Sequence, residues 1–358
     1  MPDHERLAAY RAKRDPARTP EPVPATDPDV PAVEGRTFVV QEHHARALHW
    51  DVRLERDGVL VSWAVPKGLP PDPKVNHLAV HTEDHPLEYA TFEGEIGAGE
   101  YGGGRVTVWD HGTYEELKWT DREVQVVLHG ERVQGRYVLF ATRSKGGADD
   151  GRSWMVHRMD PPTDPEWTPL PTDLLPMLAR RGDLPPDDGG WAFEMAWGGV
   201  RAIALVDGGR VRLRSGDEDV SGSYPEIAGL GEQLGSTVVA LDGELVALDR
   251  ERLAEREAVT GSAARRLART HPVTYLVYDV LHLEGRPTVE RAYDDRRALL
   301  DGLELSGTAW RVPPTFDGPG AAVLAAAVAN GFEGIVAKRR SSPYRPGVRS
   351  ADWRSVRA

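Results

Sequence analysis

The stretch QEHHARALHWDVRLE, residues 41–55, sets His43, His44, His49 and Asp51 within nine positions of one another. The chain has 358 residues and no cysteine, so disulfides and thiolate metal sites are excluded and any metal must be held by His, Asp or Glu. Read as a strand, HWDVRLE alternates between faces with period two. His49, Asp51, Arg53 and Glu55 then share one face, while Trp50, Val52 and Leu54 pack into a core. With His43 arriving from the preceding segment, this makes a His-His-Asp set with open coordination positions, the form of a catalytic metal site. Arg53, one step along the same face, is placed to meet an oxyanion on that metal. The competing reading is a polar face that simply meets solvent.

A second polar constellation, HTEDHPLEYATFEGEIGAGEYGGG at 81–104, adds His85 and Tyr89, and Lys67 ends the run VSWAVPKG. Such a set, with no apolar pocket signature, suits a phosphate ester better than an apolar ligand. The segment GAGEYG at 97–102 formally matches a dinucleotide fingerprint, but GGRVTVWD after it reads as a strand where that motif needs a helix. A glycine-rich strand junction is the better reading.

The elements that must position these groups fall into two domains. Residues 1–36 read as an arm: a basic, helix-like run, then TPEPVPATDPDVPAVEG, whose prolines oppose regular structure. From 37 to 160, short β-branched and aromatic runs (TFVVQ, HWDVRLE, VLVSWAV, HLAVHT, RVTVWD, EVQVVLH, RYVLFAT, SWMVHR) predict a barrel or sandwich, and Asp57-Gly58 predicts a hairpin turn. Residues 161–190 carry eight prolines and read as a semi-rigid linker. From 191 to 358, strands alternate with helical stretches such as YPEIAGLGEQL, REAVTGSAARRLAR and GAAVLAAAVANG, an α+β pattern.

Hydrophobic residues at 40% and charged residues at 28% fit a globular protein, and no apolar run reaches the ~20 residues that cross a bilayer. The charged start MPDHERLAAY carries no secretory signal pattern, so a cytoplasmic protein without membrane partners is expected. A net charge of −12 opposes non-specific attraction to nucleic acid over the whole surface. It leaves room for local basic patches at RLAAYRAKRDPAR (6–18) and KRRSSPYRPGVRS (338–350).

The runs FVVQEHHARALHWDVRLERDGVLVSWAVPKG, LAVHTEDHPLEYATFEGEI and GEYGGGRVTVWDHG resemble the 3′-phosphoesterase domain of bacterial DNA ligase D, and YRAKRDPARTPEP resembles that family's N-terminal arm. The resemblance spans roughly residues 9–160. It implies a small β-barrel that uses Mn²⁺ to remove a 3′-ribonucleoside and then a 3′-phosphate from DNA 3′ ends. It further implies His43, His49 and Asp51 as metal ligands, His85, Arg53, Lys67 and Tyr89 as catalytic groups, and Arg14, Asp15 and Glu21 as phosphate- or nucleotide-binding groups. His77 stands where the family pattern has an arginine. By ligand chemistry alone zinc would also suit the site, so manganese rests on the resemblance.

From PMLA at 176 onward the chain resembles the nucleotidyltransferase (ATP-grasp-like adenylation) domain of ATP-dependent DNA ligases, through LDGELVALD, YLVYDVLHLEG and EGIVAKRRSSPYRPG. The implied nucleotide-binding residues are Arg201, Glu244 for ribose, Tyr278 for adenine, Glu333 for metal and Lys338 for phosphate. The first motif departs: where the family reads E-x-K-W-D-G-x-R, this chain has EMAWGGVR, with Ala196 for the lysine and Gly198 for the aspartate. A methyl group offers no nucleophile for adenylation. RSGDEDVS lacks the arginine after Ser215, and WRSVR has Ser355 for a lysine. The expectation is a ligase-like domain without ligase activity, ending at Ala358 without the OB-fold into which ligases continue.

Three hypotheses follow: an end-healing phosphoesterase fused to a non-catalytic ligase-like domain, a ligase with a non-standard nucleophile, or a non-catalytic scaffold for DNA ends. ATP binding by the second domain stays open. Candidate partners are an end-joining polymerase, a ligase or an end-binding protein.

Overall fold

The structure is a computed structural model that describes residues 6–26, 36–142, 151–187, 189–248 and 250–357. It divides into two compact units, Met1–Pro165 and Glu166–Ala358.

In the first unit the strands Thr37–His44, Leu48–Arg56, Val59–Val65, Asn76–His81, Ser153–Arg158, Gln134–Ala141, Glu123–Gly130 and Gly104–Thr120 pair in that order. The last pairs back onto the first, so eight strands close into a barrel and leave no free edge in the ring. Two short strands hang on it: Gly94–Ile96 on Gly104–Thr120, and His85–Pro86 on Val59–Val65. Asp57 and Gly58 have φ of 51° and 82°, the two left-handed residues that turn the predicted hairpin. RVTVWD is the first third of one strand, Gly104–Thr120. Phe38, Val40, Trp50, Val52, Leu54, Trp63 and Trp154 fill the core.

The predicted polar face meets solvent only at its ends, where His49 and Glu55 are partly exposed. Asp51 and Arg53 are buried, at 7% and 2% exposure, with Tyr89 of the 3₁₀ turn Leu87–Thr91 lying over the Arg53 guanidinium and bonded in turn to Glu21 of the arm. Of the helix-like basic run only Ala8–Arg11 is helical. The rest of the arm is held by its side chains: Tyr10 and Leu7 are fully buried, and the Tyr10 hydroxyl donates to the Pro22 carbonyl at 2.8 Å.

The second unit has two sheets. One contains, in order, Leu178–Arg181, Arg349–Arg357, Gly334–Arg339 and Trp191–Met195. The other is built on Arg210–Ser215, Val200–Asp207, Val239–Val246 and Thr274–Leu283. Helices Gly229–Leu234, Arg250–Glu257, Gly261–Thr270, Tyr293–Gly302 and Gly320–Ala329 connect them. Part of the proline-rich segment expected as a linker belongs to this unit. The Met177 side chain is fully buried, Leu178–Arg181 is a strand, and the Thr168 amide donates to the Gly285 carbonyl at 2.7 Å.

Candidate functional site

Antiparallel register sets His43 directly opposite His49 and Gln41 opposite Asp51. That brings one ligand atom each from His43, His49 and Asp51 to within 4.8 Å of one another. His43 Nδ1 is 3.6 Å from Asp51 Oδ2, and His49 Nε2 is 3.7 Å from Asp51 Oδ1. Bonds of about 2.1 Å to a shared ion would separate ligand atoms by about 3–3.5 Å, so a bound ion would draw the three groups, now within 4.8 Å, closer together.

Backbone carbonyls fix which nitrogen faces inward. His43 Nε2 lies 2.8 Å from the Gly102 carbonyl and His49 Nδ1 lies 3.0 Å from the Ala47 carbonyl. A carbonyl only accepts, so each of those nitrogens carries the proton and the inward nitrogens present lone pairs. The donor set therefore fits a divalent cation.

Arg53 is 2% exposed and donates from Nε to Gln41 Oε1 (2.8 Å), from Nη1 to Ser62 Oγ (2.9 Å) and from Nη2 to Asp51 Oδ2 (2.9 Å). Of its five N–H groups these use three, leaving one on each terminal nitrogen. Its role is thus first to hold Asp51, which sequence spacing did not indicate. Burial pushes the Asp51 carboxyl up, but the Arg53 charge beside it overrides this and holds it well below the usual carboxylate range. Gln41, fully buried, also donates to the carbonyls of Tyr89 (3.0 Å) and Phe92 (2.9 Å). It ties Arg53 to the 3₁₀ turn and was missed from sequence because a lone Gln in a strand carries no signal.

The arm supplies the other wall. Arg14 donates from Nε to Glu21 Oε1 (2.9 Å) and from Nη1 to Glu83 Oε1 (3.2 Å), and its Nη2 lies 3.4 Å from His85 Nε2. The Tyr89 hydroxyl donates to Glu21 Oε1 at 3.0 Å. His85 Nδ1 is 2.8 Å from the Glu83 carbonyl, so Nε2 is an acceptor in this form. Burial, then the charges of Arg53 and Arg14, push the His85 imidazole well below its ordinary value. Glu83, another residue not singled out from sequence, holds both Arg14 and Lys13. His43, His49, Asp51, Arg53, His85, Tyr89, Arg14 and Glu21 thus share one linked cluster. Asp15 is exposed and caps the Ala17 amide at 3.0 Å, and Lys67 is exposed in the turn after Val59–Val65. His77 lies within Asn76–His81, with Nδ1 2.8 Å from the Gly68 carbonyl.

In the second unit a cavity of about 460 Å³ is lined by residues of both sheets, among them Ala196, Arg201, Glu244, Tyr278, Glu333 and Lys338. Lys338 Nζ sits 2.8 Å from Glu194 Oε2 and 4.1 Å from the Trp353 ring centre. Burial lowers its pKa from the usual lysine value. The Tyr278 hydroxyl donates to Glu244 Oε2 at 2.6 Å, and Arg201 Nε donates to Asp242 Oδ1 at 2.7 Å. Glu333 is exposed at the rim, paired with Arg357 at 3.2 Å. Ala196 presents only a methyl group to this space.

Comparison with known proteins matches residues 41–141 to the DNA ligase D 3′-phosphoesterase domain and residues 176–356 to the ATP-dependent DNA ligase domain. The multifunctional non-homologous end joining protein LigD of Mycobacterium bovis is 46% identical over 98% of this chain and 45% of its own length. That of Pseudomonas aeruginosa is 35% identical over 99% of this chain and 47% of its own. This chain therefore spans a little under half the length of these relatives. A solved structure, a mycobacterial DNA ligase D complexed with ATP and MES, aligns over 51% of this chain and 60% of its own at 38% identity and a TM-score of 0.44. The chain belongs to the DNA ligase D family, with a 3′-phosphoesterase domain followed by an ATP-dependent ligase domain.

Proposed function

We propose that the chain is a divalent-metal-dependent phosphoesterase that heals DNA 3′ ends in end joining, removing a 3′-ribonucleoside or 3′-phosphate, and that its ligase-like unit does not adenylate itself. The observation that carries this reading is the triad His43, His49 and Asp51, whose inward lone pairs are set by two backbone carbonyls. A bound divalent ion, manganese by family likeness, would supply Lewis-acid polarisation of a phosphate oxygen.

The chain's own groups bind and orient. The two uncommitted N–H groups of Arg53 and the Nη2 of Arg14 offer charge to a phosphoryl group, and burial of both guanidiniums strengthens that attraction. His85 rests neutral with Nε2 as acceptor, so it donates to a leaving oxygen only after taking up a proton. A phosphate dianion beside it raises its pKa in that direction. Tyr89 and Glu21 keep Arg14 in place, and Lys67 and Asp15 serve from the rim.

The test is release of phosphate from a primer-template bearing a 3′-phosphate, with Mn²⁺ present. Wild type that releases none, or His49→Ala that releases as much, sinks the proposal. A second reading, that the ligase-like unit binds a nucleotide without reacting, is favoured by the intact cavity and its Glu244–Tyr278 bond. A calorimetric titration with ATP that shows no heat removes it.

A further inference from the structure

The glycine-rich segment GAGEYGG, Gly97–Gly103, has no role in the site so far except one: the Gly102 carbonyl that holds His43. The loop is a tight turn, with Gly99 and Gly102 at φ of 101° and 76° and the Gly103 amide donating to the Glu100 carbonyl at 3.1 Å. It is tied to the arm twice: Arg18 pairs with Glu100, and Lys13 Nζ donates to the Tyr101 hydroxyl at 3.0 Å.

Tyr101 therefore sits one residue from a carbonyl that orients a metal ligand, and beside the arm cations. Lys13 Nζ lies 4.5 Å and Arg14 Cζ 5.5 Å from its ring centre. Among the described residues of the first unit it is the one large aromatic side chain left exposed, at 45%. The other rings near the cluster, Tyr10 and Tyr89, are buried. An exposed ring flanked by two cations, one residue from the carbonyl that holds His43, is the combination by which proteins grip the end of a nucleic-acid strand: cations for the backbone, the ring for a base.

We propose that Tyr101 is the stacking platform for the terminal nucleobase of the strand whose 3′ end enters the His43–His49–Asp51 site, and that it thereby favours ends that still carry a base. This rests on the phosphoesterase reading above. The loop then performs two tasks through adjacent residues: Gly102 orients His43, and Tyr101 positions the substrate. The ring tolerates any base, since every base offers a π face.

The probe is a primer-template whose last primer nucleotide carries 2-aminopurine and a 3′-phosphate, with a twin whose last sugar has no base. On binding in chelator, wild type and Tyr101→Phe quench 2-aminopurine emission, and Tyr101→Leu does not. With manganese, Tyr101→Leu raises KM on the base-bearing end by about 5- to 150-fold, the range of a lost base–aromatic stack, with a smaller change in kcat. On the base-free twin that penalty shrinks. Equal quenching and equal KM for Tyr101→Leu and wild type overturn the proposal. So does a Tyr101→Phe variant as impaired as Tyr101→Leu, because the hydroxyl bond to Lys13 would then be what matters. Phosphate release without any Tyr101-dependent quenching refutes the stacking alone, whereas Tyr101-dependent quenching without phosphate release refutes the phosphoesterase reading and upholds the stacking.

Discussion

Replacing Arg53 by methionine separates the two duties the structure gives it. The guanidinium is 2% exposed and its hydrogen bonds end on Asp51, Gln41 and Ser62. Ser62 also donates to the Leu60 carbonyl, so its hydroxyl keeps a partner. Asp51 does not: its side chain is 9% exposed and would be left as a buried charge without its guanidinium partner. Breaking a buried pair from one side costs about 3–5 kcal/mol. For a unit the size of Met1–Pro165 that corresponds to a fall in Tm of about 6–20 °C. Two compensations follow. Asp51→Asn in the same chain removes the orphaned charge, so the double variant is more stable than the sum of the two single changes predicts. A divalent cation does the same, since at about 100-fold over its Kd it contributes about 2.7 kcal/mol. Removing a neighbouring positive charge also leaves cation affinity undiminished, while phosphate release is lost. The assay is scanning calorimetry of wild type, Arg53→Met, Asp51→Asn and the double variant, each in chelator and in excess Mn²⁺. If Arg53→Met melts within about a degree of wild type in chelator, or if the two substitutions are additive, the claim that Arg53 neutralises Asp51 is wrong.

Acidification weakens the first unit in a predictable window. Burial lowers the imidazole pKa of both His81 and His85 from 6.5, so no penalty exists above that pH, and as pH falls below it the unfolded chain takes up protons the fold refuses. The Tm of the first unit, measured at pH 7.5, 6.5 and 5.5, falls at the last step, less so in His81→Gln; a flat profile contradicts the burial argument. Gly104, at φ of 144° with the His44 backbone where a Cβ would lie, admits no side chain. Gly104→Ala therefore costs at least about 2 kcal/mol and weakens manganese binding through the strand end that carries His43, which isothermal titration would detect; unchanged affinity and Tm would count against it. Wild type incubated with labelled ATP forms no covalent adenylate that survives denaturation, whereas Ala196→Lys combined with Gly198→Asp gains one. A labelled wild type would show that another residue acts as nucleophile.

The sequence by itself determined the two units, the hairpin at Asp57-Gly58, the period-two face bearing His49, Asp51 and Arg53, and the absence of a lysine at position 196. These are local facts: alternation, turn chemistry and residue identity are written in neighbouring positions. What covers that face was decided only by tertiary structure. The middle of the polar side of Leu48–Arg56 could as well have met water; Arg53 is buried under Tyr89, which the arm, over 25 residues away in the chain, holds through Glu21. Gln41, Glu83 and the Gly102 carbonyl were illegible for the same reason. Each acts through a partner distant in sequence, and neither an amide, a carboxylate nor a peptide oxygen announces in advance which guanidinium or imidazole it will hold. The proline-rich segment carries the same lesson in reverse, since its composition indicates only that it forms no helix, while burial of Met177 and pairing of Leu178–Arg181 with Arg349–Arg357 depend on strands more than 160 residues further on.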